Sequence, residues 1–383
     1  MIWRNGVVLA RGAAWVGAVE LEVELTDGAP PLGPGTRVRA LAYTALVGDG
    51  GTDVVGQRVI LTAAALARGL GTGGLAMVVA FPDSLPADPP PAPGHIVKAR
   101  YTPTQYLTLG VDEQESPHHR ILATAEHLGG MPVVVADLHS AVPAILAGVR
   151  AVDPALRVAY VHTDGGALPI WFSRTVAALR ATGCIGATIT TGQSFGGDLE
   201  AVTVHSGLLA ARHVAGADLA VVAQGPGNLG TGTPWGFSGV ACGEALNAAA
   251  VLAGAPVAAL RVSGADARPR HRGISHHSLT AVGRVATARA SVVVPRFDGV
   301  DLPAEAAPTA GLDELIDSQL PALAHHHLRH ERVDGLYDAL LASPVRLSTM
   351  GRSLAQDPAA FLAAAAAGRF AARLVRDQES GAS

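Results

Sequence analysis

The chain has 383 residues and a formal net charge of −4, so it is long enough for two or three domains and has no basic excess for binding nucleic acid. Hydrophobic residues make up 49% of the chain and aromatic residues only 4%, which predicts a large core built from Ala, Val and Leu. No apolar run reaches the roughly 18 residues of a membrane span, and residues 1–6 do not resemble a signal peptide. Two cysteines, Cys184 and Cys242, cannot form a disulfide framework. We therefore expect a soluble cytoplasmic protein that contacts neither membrane nor nucleic acid.

Residues 1–83 contain short β-rich runs separated by Gly or Asp turns, a spacing typical of a small β-barrel-like domain. The predicted strands are Val7–Leu9, Ala18–Leu25, Thr36–Tyr43, Gln57–Leu61 and Leu75–Phe81. Residues 84–94 are rich in proline and are interpreted as a semi-rigid linker that ends this domain.

Residues 95–307 are predicted to form a doubly wound α/β domain with a mostly parallel sheet. Its first segments, His95–Tyr101 and Gln105–Val111, flank Pro103 and indicate a hairpin that leads into it. From Met131 onward, apolar runs alternate with amphipathic segments, as expected for strands that are buried on both faces and joined by helices. The predicted strands are 132–136, 157–161, 187–191, 219–223, 257–262 and 291–294, and the predicted helices lie near 141–152, 168–182, 199–215, 238–253 and 277–286.

Residues 308–383 are predicted to form a helical C-terminal extension, with helices over Gly311–Arg329, Glu331–Ala342 and Pro358–Val375. The histidines of this region, at 325–327 and 330, would point in several directions from a helix, so a solvated face is favoured over a metal site. Ser348–Arg352 is a polar break between helices, and we expect it to close over the ligand site.

Polar and Gly-rich segments follow five successive predicted strands, whereas the opposite ends of the same strands have short, bland turns. In open α/β sheets, ligands bind beyond the carboxyl ends of the strands. Glycine also lets the backbone approach a ligand closely. We therefore expect the ligand site at this edge of the sheet.

The segment 224–233 resembles an anion-binding loop, because it offers backbone N–H groups and hydroxyls just before a helix. Its predicted anion ligands are Gly225, Gly227, Asn228, Gly230, Thr231 and Thr233. Arg272 is the preferred cation for the same anion, with Arg261 and Arg270 as further candidates. Each arginine also has the simpler interpretation of a surface ion pair.

Several acidic and histidine side chains follow the strands and together suit a divalent metal. The predicted set is Asp137, His139, Asp164 and Asp198, which would hold the metal or act as catalytic acid and base. His276 and His277 are further borderline ligands that would also transfer protons. As alternatives, the aspartates are helix N-caps and His276 or His277 simply begins a helix. Lys98, the only lysine in the chain, is a further catalytic candidate because lysine can be deprotonated and arginine cannot.

The segment Gly192-Gln193-Ser194-Phe195-Gly196 matches the G-x-S-x-G nucleophile elbow and stands between a predicted strand and helix. Asp266 follows a later strand, where the acid of a hydrolase triad would lie. However, no histidine follows the last strand, and Asp198 would place a carboxylate near the oxyanion.

Three functions remain open on these grounds. The first is an enzyme that hydrolyses, or transfers a group from, a small anionic metabolite. The second is a non-catalytic metabolite sensor, and the third is a serine hydrolase that uses Ser194. A homodimer is the default oligomeric state.

Eight motifs spread over nearly the whole chain resemble DUF3866, an uncharacterised bacterial family defined as a domain of unknown function. They are VKARYTPTQ (97–105), SPHH (116–119), ADLHS (136–140), TDGGALP (163–169), GQSFGGDLEAV (192–202), QGPGNLGTGTPWGFSG (224–239), HRGISHHSLTA (271–281) and STMGR (348–352). The resemblance implies a cytoplasmic bacterial protein and assigns no reaction, cofactor or catalytic residue.

Overall fold

The computed structural model describes residues 1–51, 53–70 and 73–381 and divides the chain into two compact units. The first unit comprises Met1–Leu109 together with Trp171–Ala177. The second comprises Gly110–Ile170 and Ala178–Ser383.

The first unit contains a closed barrel of five strands in the order β1-β2-β3-β5-β4, which confirms the predicted barrel. The strands are β1 (Trp3–Trp15), β2 (Ala18–Leu25), β3 (Arg37–Tyr43), β4 (Arg58–Thr62) and β5 (Leu75–Ala80), with short helices α1 (Thr44–Val47) and α2 (Ala64–Ala67). β1 is 13 residues long and pairs with β2 and with β4, so it closes the barrel. All neighbouring strands are antiparallel except β3 and β5.

Alternation along β2 shows why this segment forms a barrel strand. Val19, Leu21 and Val23 are almost completely buried in the barrel core, and glutamates stand between them. Successive side chains of a strand point to opposite faces, so one face of β2 fills the interior.

The predicted hairpin is present in shortened form in the first unit. Its strands, β6 (Ile96–Lys98) and β7 (Tyr106–Thr108), pair antiparallel. Ala99 and Tyr101 both have positive φ angles in the connection, which turns the chain tightly.

The second unit is built on an eight-stranded sheet in the order β11-β10-β9-β12-β8-β13-β16-β17, and every pair in it is parallel. The sheet strands are β8 (Pro132–Ala136), β9 (Val158–Thr163), β10 (Ala187–Thr190), β11 (Leu199–Glu200), β12 (Leu219–Gln224), β13 (Ala255–Ala259), β16 (Ser291–Arg296) and β17 (His327–Arg332). Two small hairpins pair β14 (Val262–Ser263) with β15 (Gly273–Ile274) and β18 (Ser348–Thr349) with β19 (Arg352–Ser353).

Helices connect and cover these strands. They are α3 (His119–Leu122), α4 (Val142–Arg150), α5 (Arg174–Ala181), α6 (Val204–His213), α7 (Ala241–Val251), α8 (His276–Thr280), α9 (Leu312–Gln319), α10 (Leu336–Leu341) and α11 (Pro358–Gly381). All residues of β8 and β12 are buried, as expected for strands that helices cover on both faces.

The C-terminal region differs from the predicted run of helices. The helix predicted over Gly311–Arg329 ends at Gln319, and Pro321 then lies in a short 3-10 turn. The chain continues as β17, which adds a parallel edge strand beside β16. His327 and His330 therefore lie on a strand. β17 is held mainly by backbone hydrogen bonds to β16, and most of its side chains are exposed. Its sequence therefore lacks the alternation of apolar and polar residues that would predict a strand.

The last helix, α11, is largely buried and packs against α4, α10 and several sheet strands. Gly148 of α4 lies against the Ala365 carbonyl, and Gly368 of α11 lies against the Ile145 carbonyl, so the two backbones nearly touch. By length and composition alone, Pro358–Ser380 would suffice to cross a membrane, but 72% of its apolar window is buried inside the protein. A helix buried in a protein core can have the same length and apolar composition, so these two properties are weak evidence for a membrane span.

Candidate functional site

A small open cleft, with a cavity volume of about 30 Å³, lies beyond the carboxyl ends of the neighbouring strands β8 and β13. Asp137 and Ser140 line it from the segment after β8, and Arg261 lines it from the segment after β13. Thr349 and Met350, from the tip of the β18–β19 hairpin, lie along another wall. The expected closure by Ser348–Arg352 is therefore consistent with where this hairpin lies.

Asp137 is the acidic group of this cleft. Its side chain is buried, and its Oδ2 atom has no hydrogen-bond partner in the structure. Burial raises the pKa of Asp137 from its usual 3.8 to about 6, although the positive charge of Arg261 opposes the rise. A carboxyl group that titrates near neutral pH can both donate and accept a proton.

Arg261 is half-buried, and its backbone is fixed on both sides. Its N–H donates to Ser278 Oγ at 3.1 Å, and its carbonyl accepts from the Ser275 N–H at 2.8 Å. Within the described ranges of the chain, its guanidinium has no hydrogen-bond or ion-pair partner. The planar guanidinium of an arginine that lines a cleft is suited to bidentate binding of a carboxylate or phosphate.

A buried ion-pair network anchors the β18–β19 hairpin beside this cleft. Arg352 contacts Asp266 at 3.2 Å and Asp357 at 3.0 Å. The Asp357 carboxylate also accepts from Ser263 Oγ at 2.6 Å. Hydrogen bonding to Arg268 lowers the pKa of Asp266 well below its usual range. Asp266 is therefore paired with Arg268 and Arg352 in a structural network, which differs from a triad acid hydrogen-bonded to a histidine.

Three histidines form a cluster that borders the Arg261 segment. His271 belongs to a short 3-10 turn, and His276 and His277 begin α8 directly after the N-cap Ser275. One ligand atom from each ring lies within 4.8 Å of the other two. The His277 ring also stacks on Phe237, with ring centroids 3.9 Å apart.

The environment of the cluster keeps its imidazoles neutral. Burial lowers the pKa of His271 to about 4, and Arg261 contributes to the change. Burial, followed by the charges of His276 and Arg261, lowers the pKa of His277 to about 3. His276 Nε2 and both ring nitrogens of His277 are buried without partners. Each such polar atom costs about 1–3 kcal/mol, so the cluster favours a ligand that satisfies them.

His139 lies apart from this cluster, in a second polar group near β9 and β12. Its Nδ1 lies 3.1 Å from the Tyr160 hydroxyl, which donates to the Ala223 carbonyl at 3.2 Å. Burial lowers the pKa of His139 to about 4 and raises the pKa of Tyr160. The Gln224 side chain donates to the Asp137 carbonyl at 2.8 Å and so connects this group to the cleft.

The predicted anion loop follows β12 and contacts the Asp137 segment. Asn228 Nδ2 donates to the Asp137 carbonyl at 3.3 Å, so part of its amide supports the cleft backbone. The Thr231 and Thr233 hydroxyls lie 3.1 Å apart, and Thr233 Oγ1 accepts from the Gly236 N–H. These hydroxyls therefore stabilise the loop itself.

The remaining predicted members of the anion site occupy different positions. Gly225 packs against Ala167 and His162, and a side chain there would clash with both residues. Gly227 has a φ of 85°, which favours glycine. Gly230 forms a bridge with Phe237. Arg272 is exposed.

The predicted metal set of Asp137, His139, Asp164 and Asp198 is not brought together. Among the described residues, the only group of at least three possible ligands within 4.8 Å consists of His271, His276 and His277. Asp164 accepts from the Gln193 N–H at 2.8 Å. Asp198, directly before β11, accepts from the backbone N–H and the hydroxyl of Thr188 on β10, and it pairs with Arg180 at 2.8 Å.

Ser194 and Lys98 are both buried. Ser194 is completely buried, and its hydroxyl donates to the Leu168 carbonyl at 2.6 Å, which is unlike the exposed hydroxyl of a nucleophile elbow. Lys98 is 1% exposed and belongs to β6 of the first unit.

Sequence reasoning did not select His271, Gln224 or Tyr160 as site residues. His271 stood in the polar segment before His276, so its spacing from His276 and His277 was the available signal. Gln224 is the last residue of a buried strand, where a polar residue is unusual. Tyr160 lies inside an apolar run and gave no separate signal.

The comparisons with known proteins place the chain in a family without assigning a reaction. No curated protein and no solved structure is significantly similar to it. The model of a family described as "Protein of unknown function (DUF3866)" matches residues 39–368, which is nearly the whole chain. The chain therefore belongs to the DUF3866 family.

Proposed function

We propose that this protein is an enzyme that hydrolyses, or transfers a group from, a small anionic metabolite in the cleft between Asp137 and Arg261. One observation carries the proposal. Arg261, whose guanidinium has no ion-pair partner among the described residues, lines the same cleft as Asp137. The buried Oδ2 of Asp137 has no hydrogen-bond partner, and the pKa of this carboxyl group is raised to about 6. Perturbed titratable groups of this kind concentrate at catalytic sites.

The position of the cleft supports the proposal. After β8, the chain adds β9, β10 and β11 on one side, and after β12 it adds β13, β16 and β17 on the other. Right-handed crossovers in opposite directions place helices on opposite faces, so we propose a doubly wound sheet. α4 packs with α10 and α11, whereas α6 packs with α7, in agreement with two helical layers. In such sheets, ligands bind where the winding direction reverses, and Asp137 follows β8 at that point.

Each residue then has a role that its surroundings support. Arg261 binds the anionic group of the substrate, because its backbone is fixed and its guanidinium has no partner among the described residues. Asp137 transfers the proton, because burial holds its pKa near 6. Thr349 and Met350 cover the bound metabolite from the β18–β19 hairpin.

The serine-hydrolase alternative is less well supported by this geometry. Ser194 is completely buried, so its hydroxyl is not exposed to a substrate carbonyl. A non-catalytic sensor does not need a carboxyl group with a pKa near 6. Asp137 has such a pKa, which favours an enzyme over a sensor.

Metabolite profiling tests the proposal. The purified protein and its Asp137→Asn variant are incubated separately with a bacterial metabolite extract, and mass spectrometry follows the consumption of anionic compounds. We expect wild type to consume at least one carboxylate or phosphate compound, and Asp137→Asn to consume it at least about 100-fold more slowly. Equal consumption by both proteins, or none by wild type, would contradict the enzyme assignment. Asp301→Asn, at an exposed position, is the matched control.

A further inference from the structure

We infer that His271, His276 and His277 form a binding site for one divalent transition-metal ion of the zinc class. This site is distinct from the predicted Asp137, His139, Asp164 and Asp198 set. It rests on the geometry of three side chains and stands whether or not Asp137 is catalytic.

The spacing of the three rings is close to that of a metal site. One nitrogen from each imidazole lies within 4.8 Å of the other two. Zinc–nitrogen bonds of about 2.0–2.1 Å in a tetrahedron place the nitrogens roughly 3.3 Å apart. The three nitrogens therefore have to approach one another by up to about 1.5 Å to reach coordination distance.

A hydrogen bond orients the His271 ring for coordination. His271 Nδ1 lies 2.8 Å from Ser275 Oγ, which leaves Nε2 of His271 as the ligand atom. Ser275 Oγ also accepts from the backbone N–H of His277 and caps α8. A hydroxyl or carbonyl bonded to the second ring nitrogen is the usual outer support of a metal-binding histidine.

The unpartnered ring nitrogens are a second observation that points to a ligand. Both ring nitrogens of His277 and Nε2 of His276 are buried without a hydrogen-bond partner. His277 is 7% exposed and is fixed by stacking on Phe237. A ring that accepts no hydrogen bond from the protein keeps its lone pair available for a metal ion.

The charges nearby indicate which ion binds and what completes its coordination. Neutral imidazoles favour zinc, cobalt, nickel, copper and iron over magnesium or calcium. Three neutral ligands leave the metal with its full positive charge, and Arg261, Arg268 and Arg270 add further positive charge to the surroundings. A fourth ligand that is an anion or hydroxide is therefore favoured, because it offsets these charges. Three protein ligands and an open position are typical of catalytic zinc sites.

Cobalt titration of the whole chain, stripped of metal by chelation and dialysis, tests the site. We expect one equivalent of Co²⁺ to bind and to produce the visible absorption of four-coordinate cobalt, and Zn²⁺ to displace it. His276→Gln and His277→Gln should lose this absorption, whereas the exposed His205→Gln on α6 should bind like wild type. Ser275→Ala should weaken cobalt binding by about 10- to 100-fold, because the outer support of His271 is removed.

X-ray absorption on the cobalt-loaded wild type provides a readout that requires no variant to fold. Three imidazole nitrogens at about 2.0–2.1 Å would support the site. The inference would be overturned if wild type bound no stoichiometric Co²⁺ or Zn²⁺, or if the bound cobalt had no imidazole ligands. Binding that His276→Gln and His277→Gln both retained would also overturn it.

Discussion

Exchange of Asp137 for asparagine should make the protein more stable above neutral pH while removing its activity. Asn is nearly the same size as Asp and carries no charge. The folded protein holds the pKa of Asp137 at about 6, whereas the unfolded chain releases the proton near the usual value of 3.8. Because the folded-state pKa is raised, ionisation favours the unfolded state, and stability is lost as the pH rises from about 4 to about 6.

The size of this effect follows from the two pKa values. The difference of about 2 pKa units corresponds to about 3 kcal/mol of lost stability at pH 8, where the group is ionised in both states. At about pH 5, where the folded group is still mostly protonated, the loss is only about 1.5 kcal/mol. The stability advantage of Asp137→Asn over wild type should therefore grow by about 1.5 kcal/mol between these two pH values.

Urea denaturation at both pH values measures this advantage directly. EDTA is included so that a bound metal does not alter the charge near Asp137. Asp301→Asn controls for the same exchange at an exposed position. An advantage of the same size at both pH values would refute the claim that the protein buries an ionisable carboxyl group here.

Three further predictions concern packing, the hairpin anchor and the serine alternative. Gly148→Ala should lower the free energy of unfolding in urea by about 1–3 kcal/mol, because the added methyl group meets the α11 backbone. The better helix propensity of alanine is too small to offset this clash. Gly33→Ala is the control and should have little effect, because its added methyl carbon would have no neighbouring atom closer than 3.6 Å. Arg352→Met should cost about 3 kcal/mol in the same assay, because the completely buried Asp357 loses its cation; a loss below about 1 kcal/mol would contradict this role. A fluorophosphonate probe should not label Ser194, and labelling seen by mass spectrometry would restore the serine hydrolase.

Much of the fold could be predicted because its main elements have a strong local pattern. β8 and β12 are continuous apolar runs, and β2 alternates with period two, so burial on two faces or on one is visible in the sequence. β17 was missed because backbone pairing with β16 defines it, and its side chains remain polar and mostly exposed. The predicted helix ran through Pro321 to Arg329, although proline disfavours a helix interior, and the segment gave no sign that a strand would follow.

The edge of the sheet that holds the candidate site could also be predicted, but its arrangement could not. Asp137 and Arg261 follow neighbouring strands, and parallel strands bring their carboxyl ends together. His271 lies between β14 and β15, and His276 and His277 follow β15, so the pairing of these two strands helps to bring the three rings together. Such a pairing of two-residue strands leaves no periodicity in the sequence. Asp198 was wrongly predicted as a metal ligand. Its ion pair with Arg180 forms only in the folded protein and is not visible in the sequence.

Anion binding at the cleft tests the central claim most directly. A panel of small carboxylates and phosphates is screened by thermal shift and native mass spectrometry against wild type, Arg261→Met and Arg289→Met. Arg289 is exposed just before β16, at the amino end of the sheet, and serves as the control. We expect at least one small anion to bind and stabilise wild type and Arg289→Met but not Arg261→Met. Equal stabilisation of all three proteins, or none of any, would contradict a ligand site between Asp137 and Arg261.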